Sequence, residues 1–152
     1  MKIIKYILIT LLIFSSSCGY KSVNNLESYN FVISKYELNG NKKINYILEK
    51  NFKRFQSDEN DSTNFKILAV SEKKISAVSK NTDGKVSTYN IEVIVELEIF
   101  KKQKLVDSNI FKENINYDNL NSKFELKQYE NILLKDLVDQ IILKINNYIN
   151  FL

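Results

Sequence analysis

The stretch "STYNIEVIVELEIF", Ser87 to Phe100, constrains the fold more than any other part of the chain. Tyr89, Ile91, Val93, Val95, Leu97 and Ile99 occupy every second position, which puts them on one face of an extended strand. Asn90, Glu92, Glu96 and Glu98 share the other face, with Ile94 as its apolar exception. One face therefore meets a core, and the other meets water or a polar partner. "NTDGK", Asn81 to Lys85, stands just before this strand, and Asp-Gly between β-rich runs signals a hairpin.

The neighbouring segments fit around that strand. Tyr29 to Leu38 alternates as a first strand, with Phe31, Ile33 and Lys35 against Val32, Ser34 and Tyr36. "NGN", Asn39 to Asn41, breaks it and can cap a helix. Ile44, Ile47, Leu48, Phe52 and Phe55 then recur at helical spacing on one face. Gln56 to Asn64 is a polar loop. A second strand lies within Phe65 to Ser79, and its polar step from Ser71 to Lys74 predicts a bulge or bend. Lys101 to Lys104 turns the chain into a fourth strand, Leu105 to Asp118, with Phe111, Ile115 and Tyr117 in register. Ser122 and Glu125 have capping-box spacing and open a long helix. Its stripe runs through Leu134, Leu137, Val138, Ile141, Ile142, Ile145, Tyr148 and Ile149. Asp136, Asp139, Gln140, Asn146 and Asn147 lie opposite, and Ile132 and Leu143 fall near that polar side. The order β-α-β-β-β-α with single-striped helices predicts an α+β, two-layer sandwich: a four-stranded sheet with two helices packed on one face.

The N-terminus reads differently. "MKIIKY" supplies a positive start and "ILITLLIF", Ile7 to Phe14, an apolar run far shorter than the ~20 residues of a spanning helix. This is the pattern of a secretory signal. Ser15, Ser16 and Ser17 lead to Cys18, the chain's only cysteine. A signal ending in small residues and Cys, then Gly19, resembles that of bacterial lipoproteins, although Ser15 stands where their pattern has an aliphatic residue. The resemblance implies cleavage before Cys18, lipid on its sulfur and amine, and, with Gly19 next, passage to the outer membrane. Several acyl chains anchor stably where one would be marginal. The expected organisation is a signal peptide over 1–17, a lipidated tether over 18–28, and one domain over 29–152.

Most familiar chemistry is missing. The 152 residues contain no histidine, one cysteine and three scattered glycines. A His/Cys zinc site, a Ser-His-Asp triad and a glycine-rich phosphate loop are excluded. Glu92, Glu96 and Glu98 could be drawn as catalytic carboxylates or cation ligands, but on an alternating strand they read as a solvated face, and Asp136 and Asp139 as the wet side of the last helix. No enzyme activity is expected, nor a cofactor beyond the covalent lipid. The net charge is +4, and without Lys2 and Lys5 it is +2. Arg54 is the lone arginine, which argues against nucleic acid as a partner.

A lipoprotein signal ending in "CGY" and a single β-α-β-β-β-α domain resemble the LPS-assembly lipoprotein family, LptE. The hairpin "NTDGKVSTYNIEVIVELEIF" and the later "NINYD", Asn114 to Asp118, carry the resemblance, whereas a proline often found after "CGY" is absent. The resemblance implies a plug within the outer-membrane β-barrel LptD, assistance in that barrel's assembly, and contact with lipopolysaccharide. It places the protein on the periplasmic face of the outer membrane, held by its lipid anchor. Lysines near a hairpin tip could meet the ligand's phosphates as point charges. The candidates are Lys73, Lys74, Lys80 and Lys85, with Lys101, Lys102 and Lys104 at the other turn. A different envelope lipoprotein, serving another lipid-transport or cell-wall system, is the alternative; it would bind without any barrel.

Overall fold

Three long strands in succession dominate the molecule. The computed structural model describes residues 29, 31–57 and 64–152. Cys18, the expected signal and tether, and most of the polar loop after Gln56 lie outside the described residues. The elements are β1 (Ile33–Gly40), α1 (Lys42–Phe52) with a 3-10 turn (Lys53–Phe55), β2 (Phe65–Lys80), β3 (Val86–Lys101), β4 (Lys104–Asp118) and α2 (Lys123–Asn150). They form one sheet in the order β1-β2-β3-β4, in which β1 runs parallel to β2 and the other pairs are antiparallel. On one face, α1 packs on β1 and β2, while α2 packs on β3, β4 and α1. This is the expected two-layer α+β sandwich.

The joint between β1 and α1 shows why the chain turns where it does. Gly40 has φ +98, and an added Cβ would stand 2.0 Å from the Ser71 carbonyl oxygen. Asn41 N–H donates to that oxygen at 2.9 Å. Asn41 Oδ1 then caps α1, accepting from Lys43 N at 3.0 Å and Ile44 N at 3.3 Å. Ser71 itself is buried, with its hydroxyl donating to Asn45 Oδ1. The bend expected at Ser71 to Lys74 is therefore absent. β2 pairs without a break from Phe65 opposite Lys101 to Ala77 opposite Tyr89, and the irregularity falls at Ala77 to Lys80, beside the turn. A polar residue interrupts the apolar face because it serves this joint.

β1 also departs from its expected phase. Its register with β2 shifts between Ile33 and Lys35. Past that bulge, Tyr36 and Leu38 pack on the core, while Lys35 is exposed and lies 3.2 Å from Glu37. Phe31 precedes the strand yet is buried, with its ring 4.5 Å from that of Phe55.

One apolar cluster joins the layers. Ile67, Ile91, Val93, Val95, Leu97 and Ile99 enter it from the sheet, Ile44, Leu48 and Phe52 from α1, and Leu137, Val138, Ile141, Ile145 and Ile149 from α2. Ser122 Oγ accepts from Glu125 N–H at 3.3 Å, so the predicted cap forms. Asn146, expected on the wet side of α2, is instead buried, and Leu143 is half-buried. Because α2 meets α1 as well as the sheet, its covered arc is wider than a single contact requires. Ile132 stays exposed, and Asp139 pairs with Lys135 at 2.7 Å.

Candidate functional site

Toward the β2–β3 turn, the sheet runs out past the helices. Lys74 to Lys80 are all exposed, whereas Phe65, Ile67 and Ala69 on the same strand are buried. The helix-facing side of this overhang forms a ledge. Ile75, Ile91 and Ile115 make one row across the three strands, and Ala77, Tyr89 and Tyr117 make the next. Ile75 and Ile115 are exposed, with the also exposed Phe124 and Tyr129 at the start of α2. The Tyr89 and Tyr117 rings stack at 5.8 Å, and Tyr129 meets Tyr117 edge-on at 6.1 Å.

The inner end of the ledge is charged. Tyr117 OH donates to Glu130 Oε1 at 3.0 Å, and Lys127 Nζ lies 3.3 Å from Glu130 Oε2. Burial, then the bond to Glu130, pushes the Tyr117 hydroxyl well above its ordinary pKa. Lys73, opposite Val93, is half-buried on this same side. Burial is the main reason its ammonium sits below the usual lysine value. Repulsion from Lys127 and Lys43 adds to this, and Glu130 opposes it. Lys127 thus pairs with Glu130, Lys73 senses both that carboxylate and the ammonium groups of Lys127 and Lys43, and Lys43 Nζ itself donates to Asn131 Oδ1 at 2.8 Å, all beside an apolar shelf. Such a place suits an amphiphile with an anionic head: the surplus positive charge can meet an anion, and the shelf can take apolar surface.

The four candidate lysines are not brought together. Lys73 faces the helices. Lys74 projects from the opposite face, where its Nζ lies 3.1 Å from Glu72 Oε2. Lys80 and Lys85 are exposed at the tip. There Asn81 Oδ1 accepts from Asp83 N and Lys85 N, and Gly84 takes φ +76 to close the turn. Lys101, Lys102 and Lys104 stand at the far end of the 16-residue β3, about 50 Å away along an extended strand. Lys102 and Gln103 hold positive φ in that turn. Lys43 and Lys127, which do join Lys73, are not among the lysines singled out from the sequence. The i,i+3 spacing of Lys127 and Glu130 was the available signal; nothing local points to Lys43.

Glu92, Glu96 and Glu98 project from the uncovered face. Glu92 lies between Lys74 and Asn114, Glu96 between Val70 and Ile110, and Glu98 between Leu68 and Ser108. No cluster of three His, Cys, Asp or Glu residues able to hold a metal occurs among the described residues. Ile94, on this same face, is only 7% exposed. Its cross-strand neighbours are Glu72 and Lys112, residues whose long stems cover apolar surface. No helix among the described residues is long and apolar enough to cross a membrane.

The fold defines a class: a two-layer α+β domain with a β-α-β-β-β-α order, a three-stranded meander and both helices on one side. Solved bacterial lipoproteins share it. Rare lipoprotein B from Shewanella oneidensis aligns with a TM-score of 0.55 at 11% identity, over 76% of this chain and 96% of that one. A minor lipoprotein from Acinetobacter baumannii gives 0.59 at 15% identity, over 80% and 93%. Lipoprotein B from Nitrosomonas europaea gives 0.61 at 13% identity, over 87% and 90%. At the level of sequence, no protein-family model and no curated protein matches the chain.

Proposed function

We propose that the protein is an envelope lipoprotein, anchored through Cys18 in the outer membrane, that serves as the lipoprotein subunit of a lipopolysaccharide translocon. It would sit within the β-barrel partner LptD, assist that barrel's assembly and bind lipopolysaccharide. The observation that carries this reading is the shared fold: three solved lipoproteins align over nine-tenths or more of their own length. The signal-like start ending in Cys18 points the same way. The ledge adds a place for an amphiphile, with Lys43, Lys73 and Lys127 toward phosphate and Ile75 and Ile115 toward acyl or apolar sugar surface. The tip lysines Lys80 and Lys85 would extend that contact. The charged and amide side chains of the uncovered face, Asn90, Glu92, Glu96, Glu98 and Asn114 among them, also suit a polar barrel lumen.

Gentle solubilisation of envelopes followed by capture of the native protein tests the proposal. A large β-barrel should accompany it, and recovery as a lone monomer would sink the reading. Cys18→Ser should leave the domain folded and release it from membranes in cells that lack the barrel. Retention there would show that lipid on Cys18 is not the anchor.

A further inference from the structure

The cleft between α1 and α2 is separate from the ledge and carries its own chemistry. It is a groove of about 650 Å³, walled by Ile47, Ile142 and Leu143. Asn51 of α1 and Asn146 of α2 line it from facing helices. These residues are 8% and 3% exposed, and neither carboxamide oxygen has a hydrogen-bond partner among the described residues. A buried acceptor without a donor is destabilising, and native structures rarely keep one without reason. Two of them on opposite walls of one groove mark a place where donors are meant to arrive from outside the fold.

The rim states the charge of what should bring them. Lys135 is already matched by Asp139, but Lys50 and Arg54 make no ion pair among the described residues; Lys50 Nζ lies instead 4.3 Å over the Tyr46 ring. Arg54 is the only arginine in a chain whose other basic residues are all lysine. Its fork suits the paired oxygens of a phosphate better than an ammonium does. Counting Asp139 against Lys50, Arg54 and Lys135 leaves two positive charges, which complement a phosphate monoester. We propose that this groove binds a phosphate ester that also carries hydroxyl or amine donors, such as a phosphorylated amino sugar. The phosphate lies toward Arg54 and Lys50, and the donors reach the Asn51 and Asn146 carboxamides by small side-chain rotations. None of the residues assigned to lipopolysaccharide contact takes part, so this site stands or falls independently of that reading.

Nuclear magnetic resonance of the full isotope-labelled chain in detergent tests the site with three probes. Glucosamine 6-phosphate should give saturable shifts of the Asn51 and Asn146 side-chain amide signals. Inorganic phosphate should bind about tenfold more weakly, since it lacks the sugar's donors. Phosphatidylglycerol in bicelles distinguishes a lipid headgroup from a free sugar phosphate as the source. Saturation by the bicelles alone would assign the groove to a headgroup and keep the site. Arg54→Gln, on the exposed rim, should weaken binding about tenfold. Asn146→Leu should erase the preference for the sugar phosphate over inorganic phosphate while keeping or raising thermal stability. If that variant does not fold, Arg54→Gln still decides. Absence of saturable shifts with every probe, shifts confined to the Lys73 ledge, or unchanged affinity in Arg54→Gln would overturn the proposal and leave the groove to bound water alone.

Discussion

The two halves of the β2–β3–β4 meander are built from the same alternating pattern and end in different states. In the half beneath the helices, Ile67, Leu97 and Ile99 are at most 1% exposed. In the overhanging half, Ile75 and Ile115 are 39% and 41% exposed, although they lie on the same face of the same strands. Ile91, on the central strand between them, stays buried, as does Tyr117 in the next row, where its ring meets Tyr129 and its hydroxyl Glu130. Alternation decides which face a side chain takes, but the reach of the helical layer decides whether that face is covered. The covered half is held by packing, and the overhang by ladder hydrogen bonds and its turn. What the overhang loses in burial it gains as surface open to a partner.

Two glycines with positive φ, Gly40 at the end of β1 beside the middle of β2 and Gly84 in the turn after β2, probe this contrast most severely. Gly40→Ala should cost on the order of 4 kcal/mol or prevent folding, since its Cβ meets the Ser71 backbone in a left-handed conformation. Gly84→Ala, with open space around it, should cost about 1 kcal/mol. Urea unfolding of both variants checks the difference, and equal losses would break the contrast. Next in size, Ile99→Ala should cost about 2–5 kcal/mol and Ile75→Ala less than about 1.

A smaller effect should appear in alkali. Tyr148 on α2, its ring 5.5 Å from Phe111, is pushed up to about 12 by burial and by its hydrogen bond to Asp107. A tyrosine whose folded pKa is raised contributes stability that is complete below the ordinary value of 10 and is lost as pH climbs toward the folded one. Tyr148→Phe should therefore flatten the fall in stability between those limits, as followed by circular dichroism. Asp107 is held low by the same hydrogen bond, then by Ser108 N–H, so its contribution is lost only in acid. The smallest change is expected at Lys73, whose ammonium burial disfavours. Its lowered folded pKa works against folding while the group is charged, and that penalty fades as pH rises toward 10.5. Lys73→Met should thus raise the melting temperature slightly at pH 7, with the gain vanishing in alkali, while weakening the lipopolysaccharide binding proposed above.

Element order and layer count were legible because alternation and the helical stripe are local signals, and β3 states its faces within 14 letters. Ser71 reads locally as a bend because its purpose lies at Asn41, 30 positions upstream. Lys35 changed face because one irregular pairing in β1 shifts every later residue. Asn146 reads as solvent-facing because a single stripe cannot reveal that α2 meets two neighbours. At the candidate site, proximity to a turn suggested lysines, yet adjacent strand residues such as Lys73 and Lys74 must point apart. The grouping of Lys43, Lys73 and Lys127 arises only when three elements meet.

The mixed direction of the sheet has a consequence for the order of assembly. β2, β3, β4 and α2 follow one another, and their hairpins close over loops of a few residues. β1 reaches β2 only through α1, and Ser34 meets Phe65 across 31 positions. Closing the shorter loops loses less chain entropy, so the meander should form first and β1 with α1 should dock last. In that case Leu97→Ala slows refolding, whereas Ile33→Val mainly speeds unfolding; the reverse pattern would exclude this order. The strand that leaves the ribosome first then joins the sheet last. Until it does, β2 presents a free edge on which a foreign strand could pair.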